Sequence, residues 1–148
     1  MIVVADTSGI LALFNRSDPE HFGVRRAADW ASAIVVSPLA LTEVHHVASV
    51  RAGRKVADSI LSLLAGRVAS TRIVIASVDA AQLHRALGVR ARYGSLDLDL
   101  VDAVCVTLAD EFDTDAILTL DRRDFRALRP LGRYPAFRIL PDDLSSAP

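Results

Sequence analysis

The sequence predicts an α/β fold, a three-layer α/β/α sandwich in which a central, mostly parallel sheet lies between two layers of helices. Three observations carry this expectation. Short apolar runs rich in β-branched residues, with no polar alternation, recur along the chain and mark strands buried on both faces. Segments of helical periodicity separate them, so the strands are joined by crossovers rather than hairpins. The first run, Ile2-Val3-Val4-Ala5, stops at a carboxylate, Asp6, and the end of such a strand is where open α/β sheets place their ligands.

The elements follow in order. Thr7-Ser8-Gly9 turns into a short helix over 10–14. Asp6 either caps that helix or serves a site, because Asp is a preferred N-cap residue. Asp18 or Ser17 caps a second helix that runs to about residue 32, with Pro19 in the first position, where a missing N–H costs nothing. His21 falls in its first turn and reads as a partly exposed helical residue; Arg25 and Arg26 read as a solvated face. Ile34-Val35-Val36 is the second strand, and Ser37-Pro38 opens a helix over 39–52. There Leu39, Ala40, Leu41, Val44, Val47, Ala48 and Val50 form one apolar arc. Glu43 falls inside that arc, where a carboxylate is costly unless something pairs with it. His45 and His46 lie off its centre and read as surface residues.

Gly53 ends that helix, and 54–69 supplies another with Val56, Ile60, Leu63 and Leu64 on one face. Arg51, Arg54 and Lys55 form a small basic cluster at the junction. Residues 72–75 are a third strand, 79–92 a helix capped by Ser77 or Asp79, and 93–95 a loop. Leu98, Val101, Val104, Cys105, Leu108 and Phe112 then give a helical stripe from Asp99 onward. Asp102 borders the stripe, whereas Asp99 lies about 60° toward solvent and suits the helix N-terminus, where negative charge is favoured. Residues 116–120 form another buried strand ending on an acid, Asp121, followed by a turn or single helical turn over 122–125. Arg126, Arg129 and Arg133 extend the densest arginine cluster, and 137–140 is the last strand. The acidic, then Ser- and Pro-rich tail is expected to loosen beyond Leu144, which gives one domain over 1–144 and a tail over 145–148.

At 148 residues the chain can bury a full core, and with half its residues apolar it is not a disordered polymer. Of its eighteen acids four belong to the site developed below, leaving fourteen against seventeen Lys and Arg. The remaining surface is therefore mildly basic. Lys55 is the sole lysine, and arginine suits bidentate phosphate contacts. Cys105 is the sole cysteine, so an internal disulfide and a thiolate zinc cluster are both excluded; it reads as a small core residue. No stretch approaches the roughly 18 apolar residues of a membrane span, and Asp6 interrupts the apolar start too early for a signal peptide. A cytoplasmic protein is expected.

In a parallel sheet Asp6 and Asp121 leave two strands at the same edge, and Glu43 and Asp102 come from early turns of helices beginning there. Four crowded carboxylates repel each other and raise each other's pKa values. A hard divalent cation removes that conflict, and an oxygen-only donor set points to Mg²⁺ or Mn²⁺ rather than zinc. A haloacid-dehalogenase-like phosphatase would need an acid at position 8, which is Ser8. A response-regulator receiver would need paired acids after its first strand and a lysine after its last, and the chain's lysine is Lys55.

The series Asp6-Thr7-Ser8, Glu43 six residues after Ser37, Val101-Asp102-Ala103, and Thr119-Leu120-Asp121-Arg122-Arg123-Asp124-Phe125 resembles a PIN-domain ribonuclease. Size and ending are similar to the VapC toxins of bacterial VapBC toxin–antitoxin pairs, and the resemblance runs from residue 2 to about 141. It implies a Mg²⁺- or Mn²⁺-dependent endoribonuclease in which Asp6, Glu43, Asp102 and Asp121 are the catalytic, metal-binding acids. It also implies Ser8 and Thr119 as supporting hydroxyls, Asp99 as a second-ranked alternative to Asp102, a homodimer, an RNA substrate and a VapB-like antitoxin. Arg122, Arg123 and Arg126 are expected to meet the RNA backbone, since phosphate contacts give affinity without sequence information. The rival reading is a PIN-like RNA-processing nuclease or RNA-binding module without a toxin role.

Overall fold

Five strands, β1 (Ile2–Ala5), β2 (Ala33–Val36), β3 (Ile73–Ile75), β4 (Ala116–Leu118) and β5 (Arg138–Leu140), pair in parallel in the order β3-β2-β1-β4-β5. This is a computed structural model, and it describes residues 1–70 and 72–144; the expected tail over 145–148 lies outside the described residues. The central strand is buried on both faces, as its unbroken apolar run requires. Val3 and Ala5 belong to one core and Val4 to the other. Strand β4 alternates likewise, Ala116 and Leu118 one way and Ile117 the other.

The first core is covered by α1 (Thr7–Phe14), α2 (His21–Trp30), α3 (Pro38–Ala52) and α4 (Arg54–Ala69). The second lies under α5 (Ala80–Arg92), α6 (Leu100–Glu111) and the short α7 (Arg122–Ala127). The chain winds outward from β1 through β2 to β3, then returns to pair β4 with the free side of β1. The gap between the ends of β1 and β4 is therefore the point where winding reverses, the place where such sheets open a crevice. Among the described residues no helix is long and apolar enough to cross a membrane.

Local signals explain most boundaries. Ser37 accepts a hydrogen bond from the Ala40 amide at 3.0 Å, with Pro38 in the first turn of α3. Asp79 does the same for Gln82 at 2.9 Å. Elsewhere tertiary packing moved the edges. Helix α1 begins at Thr7 rather than residue 10, because Gly9 lets it lie directly on β4: a Cβ there would sit 2.3 Å from the Leu118 carbonyl oxygen. Pro19 lies in a turn ahead of α2, held by Asp18 accepting from the Glu20 amide at 2.8 Å.

His21 corrects an expectation. It is buried, and its Nδ1 lies 2.8 Å from the Ala12 carbonyl, tying α2 to α1. Val50, Val56 and Leu63, expected on apolar faces, are exposed. Helices α3 and α4 pack mainly against each other, with smaller residues such as Ala48 and Ala57 in the buried core, while Val56 lines a groove with Leu11, Phe14 and Ile60.

Candidate metal centre

Asp6 directly follows β1, and its amide donates to the Leu118 carbonyl at 3.0 Å, which continues the β1–β4 pairing by one step. It occupies the N-cap position of α1, yet its side chain makes no capping bond. Instead Oδ2 accepts from the Thr119 hydroxyl at 3.0 Å and from the Ser8 hydroxyl at 3.1 Å. Those hydroxyls lie 3.2 Å apart and are themselves fixed by the backbone after β4. The Leu120 amide donates to Ser8 Oγ at 2.9 Å and the Asp121 amide to Thr119 Oγ1 at 3.0 Å. One small network thus locks the Asp6 carboxylate and the start of the Asp121 loop together. Burial pushes the Asp6 carboxyl above its usual range, against the pull of the two hydroxyls.

Asp99 and Asp102 face different ways, as the helical projection predicts. Asp99 is exposed and caps α6, accepting from the Asp102 amide at 2.8 Å. Asp102 is 7% exposed and faces the protein. Burial, then the charges of Asp6, Asp99 and Asp121, push its carboxyl up to about 9. Cys105 lies one turn below it, fully buried, and burial pushes its thiol up as well. It is a core residue, as expected.

Asp6, Glu43, Asp99, Asp102 and Asp121 line one open cavity of about 250 Å³, with Ser8 in its wall. The volume is at the low end for a small-molecule site, so a polymer substrate would present one group here and lie outside with the rest. Asp124 was not singled out in the sequence. It sits in the first turn of α7, its amide donating to Asp121 Oδ1 at 3.2 Å, and its carboxyl is raised by burial and by Asp121. One carboxylate oxygen from each of Asp102, Asp121 and Asp124 falls within a 4.8 Å cluster that could hold a metal ion. The position of Asp124 three residues after Asp121, in the turn that Asp121 caps, was the available signal.

The arginines expected to meet substrate are largely engaged. Arg122 donates to both oxygens of Asp142, at 2.6 and 2.8 Å, and to Glu20 at 3.0 Å. Arg126 holds Asp143 in a two-point contact at 2.6 and 2.8 Å. These forks clip the C-terminal segment to α7, so their charge is already neutralised. Arg123, between them, is exposed.

The family profile of the PIN domain matches residues 3–129 of this chain. The chain belongs to the PIN-domain family. It is 37% identical over 131 residues to Ribonuclease VapC26 of Mycobacterium tuberculosis (strain ATCC 25618 / H37Rv), spanning 88% of this chain and 94% of that protein. The crystal structure of Mycobacterium tuberculosis VapC20, described as a sarcin-ricin loop cleaving toxin, superposes with a TM-score of 0.71 at 22% identity, over 82% of this chain and 91% of that one. VapBC2 from Rickettsia felis, bound to a DNA fragment from its promoter, gives 0.67 at 15% identity, over 94% and 98%. At those identities the two structures bear on the fold, an all-parallel sheet between helices as found here.

Proposed function

We propose that this PIN-domain protein is a Mg²⁺- or Mn²⁺-dependent endoribonuclease and the toxin of a VapBC-type pair. The observation that carries the reading is the convergence of five carboxylates on one cavity at the switch point of the sheet, two of them buried and raised in pKa. Such a group is unfavourable by itself and becomes favourable around a hard cation. The donor set fits one: every candidate ligand is a carboxylate oxygen, with no His or Cys among them.

Asp6, Glu43, Asp102 and Asp121 are the proposed ligands, with Asp124 joining from α7 and Asp99 acting chiefly as the cap of α6. A divalent cation supplies charge stabilisation at phosphorus and an acidified water. The protein's own contribution is rigidity. Ser8 and Thr119 fix Asp6 in one orientation, and the Asp121–Asp124 cap fixes the loop after β4. With water rather than the 2′-hydroxyl as nucleophile, the leaving group is the 3′ oxygen, and the products carry 5′-phosphate and 3′-hydroxyl ends.

The kinship with Ribonuclease VapC26 supports RNA as substrate and a VapB-like antitoxin as partner. The apolar groove of Leu11, Phe14, Val56 and Ile60 between α1, α3 and α4 suits an amphipathic partner segment. A homodimer, a single domain over 1–144 and action in the cytoplasm complete the proposal. The test is cleavage of structured RNA by the purified protein, freed of partners, in Mg²⁺. Activity is expected, and Asp6→Asn abolishes it while keeping the fold by circular dichroism. Undiminished activity in the Asp6→Asn protein overturns the assignment.

A further inference from the structure

With Arg122 and Arg126 occupied by carboxylates of their own chain, α7 keeps Arg123 alone for a long anionic substrate, and a cluster of available basic groups lies elsewhere. Helix α3 shows where. Glu43, Val47 and Arg51 stand at i, i+4 and i+8, and all three line the acid cavity. Residues at this spacing form one ridge, which runs from a carboxylate at the metal end to a guanidinium about 12 Å further along the helix axis. Just beyond, Gly53 takes a φ of 91° and breaks the helix, so Arg54 and Lys55 begin α4 directly beside Arg51. All three cations are exposed, and none has an ion-pair or side-chain hydrogen-bond partner among the described residues. Asp58, the acid nearest in sequence, is engaged by His45 at 2.8 Å.

We infer that the substrate's phosphodiester backbone leaves the acid cavity along α3 and crosses the α3–α4 junction, where Arg51, Arg54 and Lys55 hold phosphates beyond the scissile one. This rests on the ribonuclease reading and adds a direction to it. The path away over α7 offers a single cation without an ion-pair partner among the described residues, Arg123, because Glu20, Asp142 and Asp143 neutralise Arg122 and Arg126. An open cavity of about 250 Å³ is too small for a length of strand, so flanking phosphates need cations outside it. Unpaired cations lose no existing partner on meeting a phosphate, whereas Arg122 and Arg126 would first have to leave theirs. Backbone contacts of this kind position the strand without reading its sequence.

The experiment measures binding of a fluorescein-labelled single-stranded RNA of mixed sequence to the full-length Asp6→Asn protein across a series of salt concentrations at fixed Mg²⁺. Neutralising phosphates makes log affinity fall with log salt, by about 0.7 per contact for a single strand. The triple variant Arg51→Gln/Arg54→Gln/Lys55→Gln is expected to bind more weakly and to lose about 2 units of that slope, equally for a second RNA sequence. Arg122→Gln/Arg126→Gln is expected to leave the slope unchanged. The three junction residues are exposed and unpaired, so melting temperature should not move and folding does not confound the result. An unchanged slope in the triple variant, or a reduced slope in the Arg122/Arg126 variant instead, overturns the proposed path while leaving the ribonuclease reading intact. If the Asp6→Asn protein binds no RNA and the wild type cleaves none, the ribonuclease reading fails and the path with it.

Discussion

Replacing Asp102 by Asn should make the metal-free protein more stable, and the structure gives both the sign and the size. The Asp102 carboxyl stands at about 9 in the folded protein against an ordinary 3.8, because it is buried and faces Asp6, Asp99 and Asp121. A folded-state pKa above the unfolded one means that the folded protein binds this proton more tightly. Raising the pH from about 4 toward 9 therefore removes stability, by up to about 1.4 kcal/mol for each pH unit. Over the three units from pH 4.5 to 7.5 the ceiling is about 4 kcal/mol, or roughly 10 °C in melting temperature for a chain of this size. Asp6 and Asp124, also raised, act in the same direction. Asp142 and Asp143 are lowered by their arginine partners, so their contribution is lost only below about pH 4 and does not enter this window. Thermal melts in EDTA should show the wild type losing stability from pH 4.5 to 7.5. Asp102→Asn should show a much flatter profile and a higher melting temperature at pH 7.5, and added Mg²⁺ should raise the wild type more than the variant. A wild-type profile that is flat or rising, with the Asn variant the less stable protein, would refute the crowded-acid argument.

Three further outcomes follow from the same geometry. In RNA cleavage Asp102→Asn should lose activity about a thousandfold or more, the several kcal/mol expected of a misplaced metal, whereas Asp99→Asn keeps the cap of α6 and should lose far less; the reverse order would mean that Asp99 is the ligand. Thr119→Val removes the hydroxyl shared by Asp6 and the Asp121 amide and should cost about 1–3 kcal/mol in urea unfolding as well as most activity, while Thr119→Ser restores both; full activity in Thr119→Val would remove the hydroxyl network from the account. Gly9→Ala forces a methyl group to 2.3 Å from the Leu118 carbonyl, so α1 must move off β4, with a loss of about 1–3 kcal/mol in chemical denaturation; a variant as stable as the wild type would show that the contact is not tight.

The acids that line the cavity, Asp6, Glu43, Asp99, Asp102 and Asp121, were legible because each follows a local signal that survives folding. A buried strand ends on Asp6, another leads to Asp121, and helical phase alone separates Asp102 from Asp99, which the cap geometry and the burial of Asp102 reproduce. What local signals miss is pairing across the chain. Arg122 and Arg126 read as free cations because their partners, Asp142 and Asp143, lie 20 and 17 residues away and meet them only once β5 has docked beside β4. His21 reads as exposed because its partner, the Ala12 carbonyl, belongs to another helix. Asp124 is hidden differently: an acid in the first turn of a short helix looks like a response to the helix dipole, and only the loop after β4 brings it to Asp102.

The central claim, that these carboxylates hold a divalent cation, is tested most directly by calorimetric titration of Mn²⁺ into metal-free protein at pH 7 in two buffers of different ionisation enthalpy. Metal ligands must be deprotonated to bind, and Asp102 stands at about 9 with Asp6 also raised. Binding should therefore release about one proton or more into the buffer, and Asp102→Asn should bind more weakly and release fewer. Absence of binding, or binding with no proton released, would contradict the account.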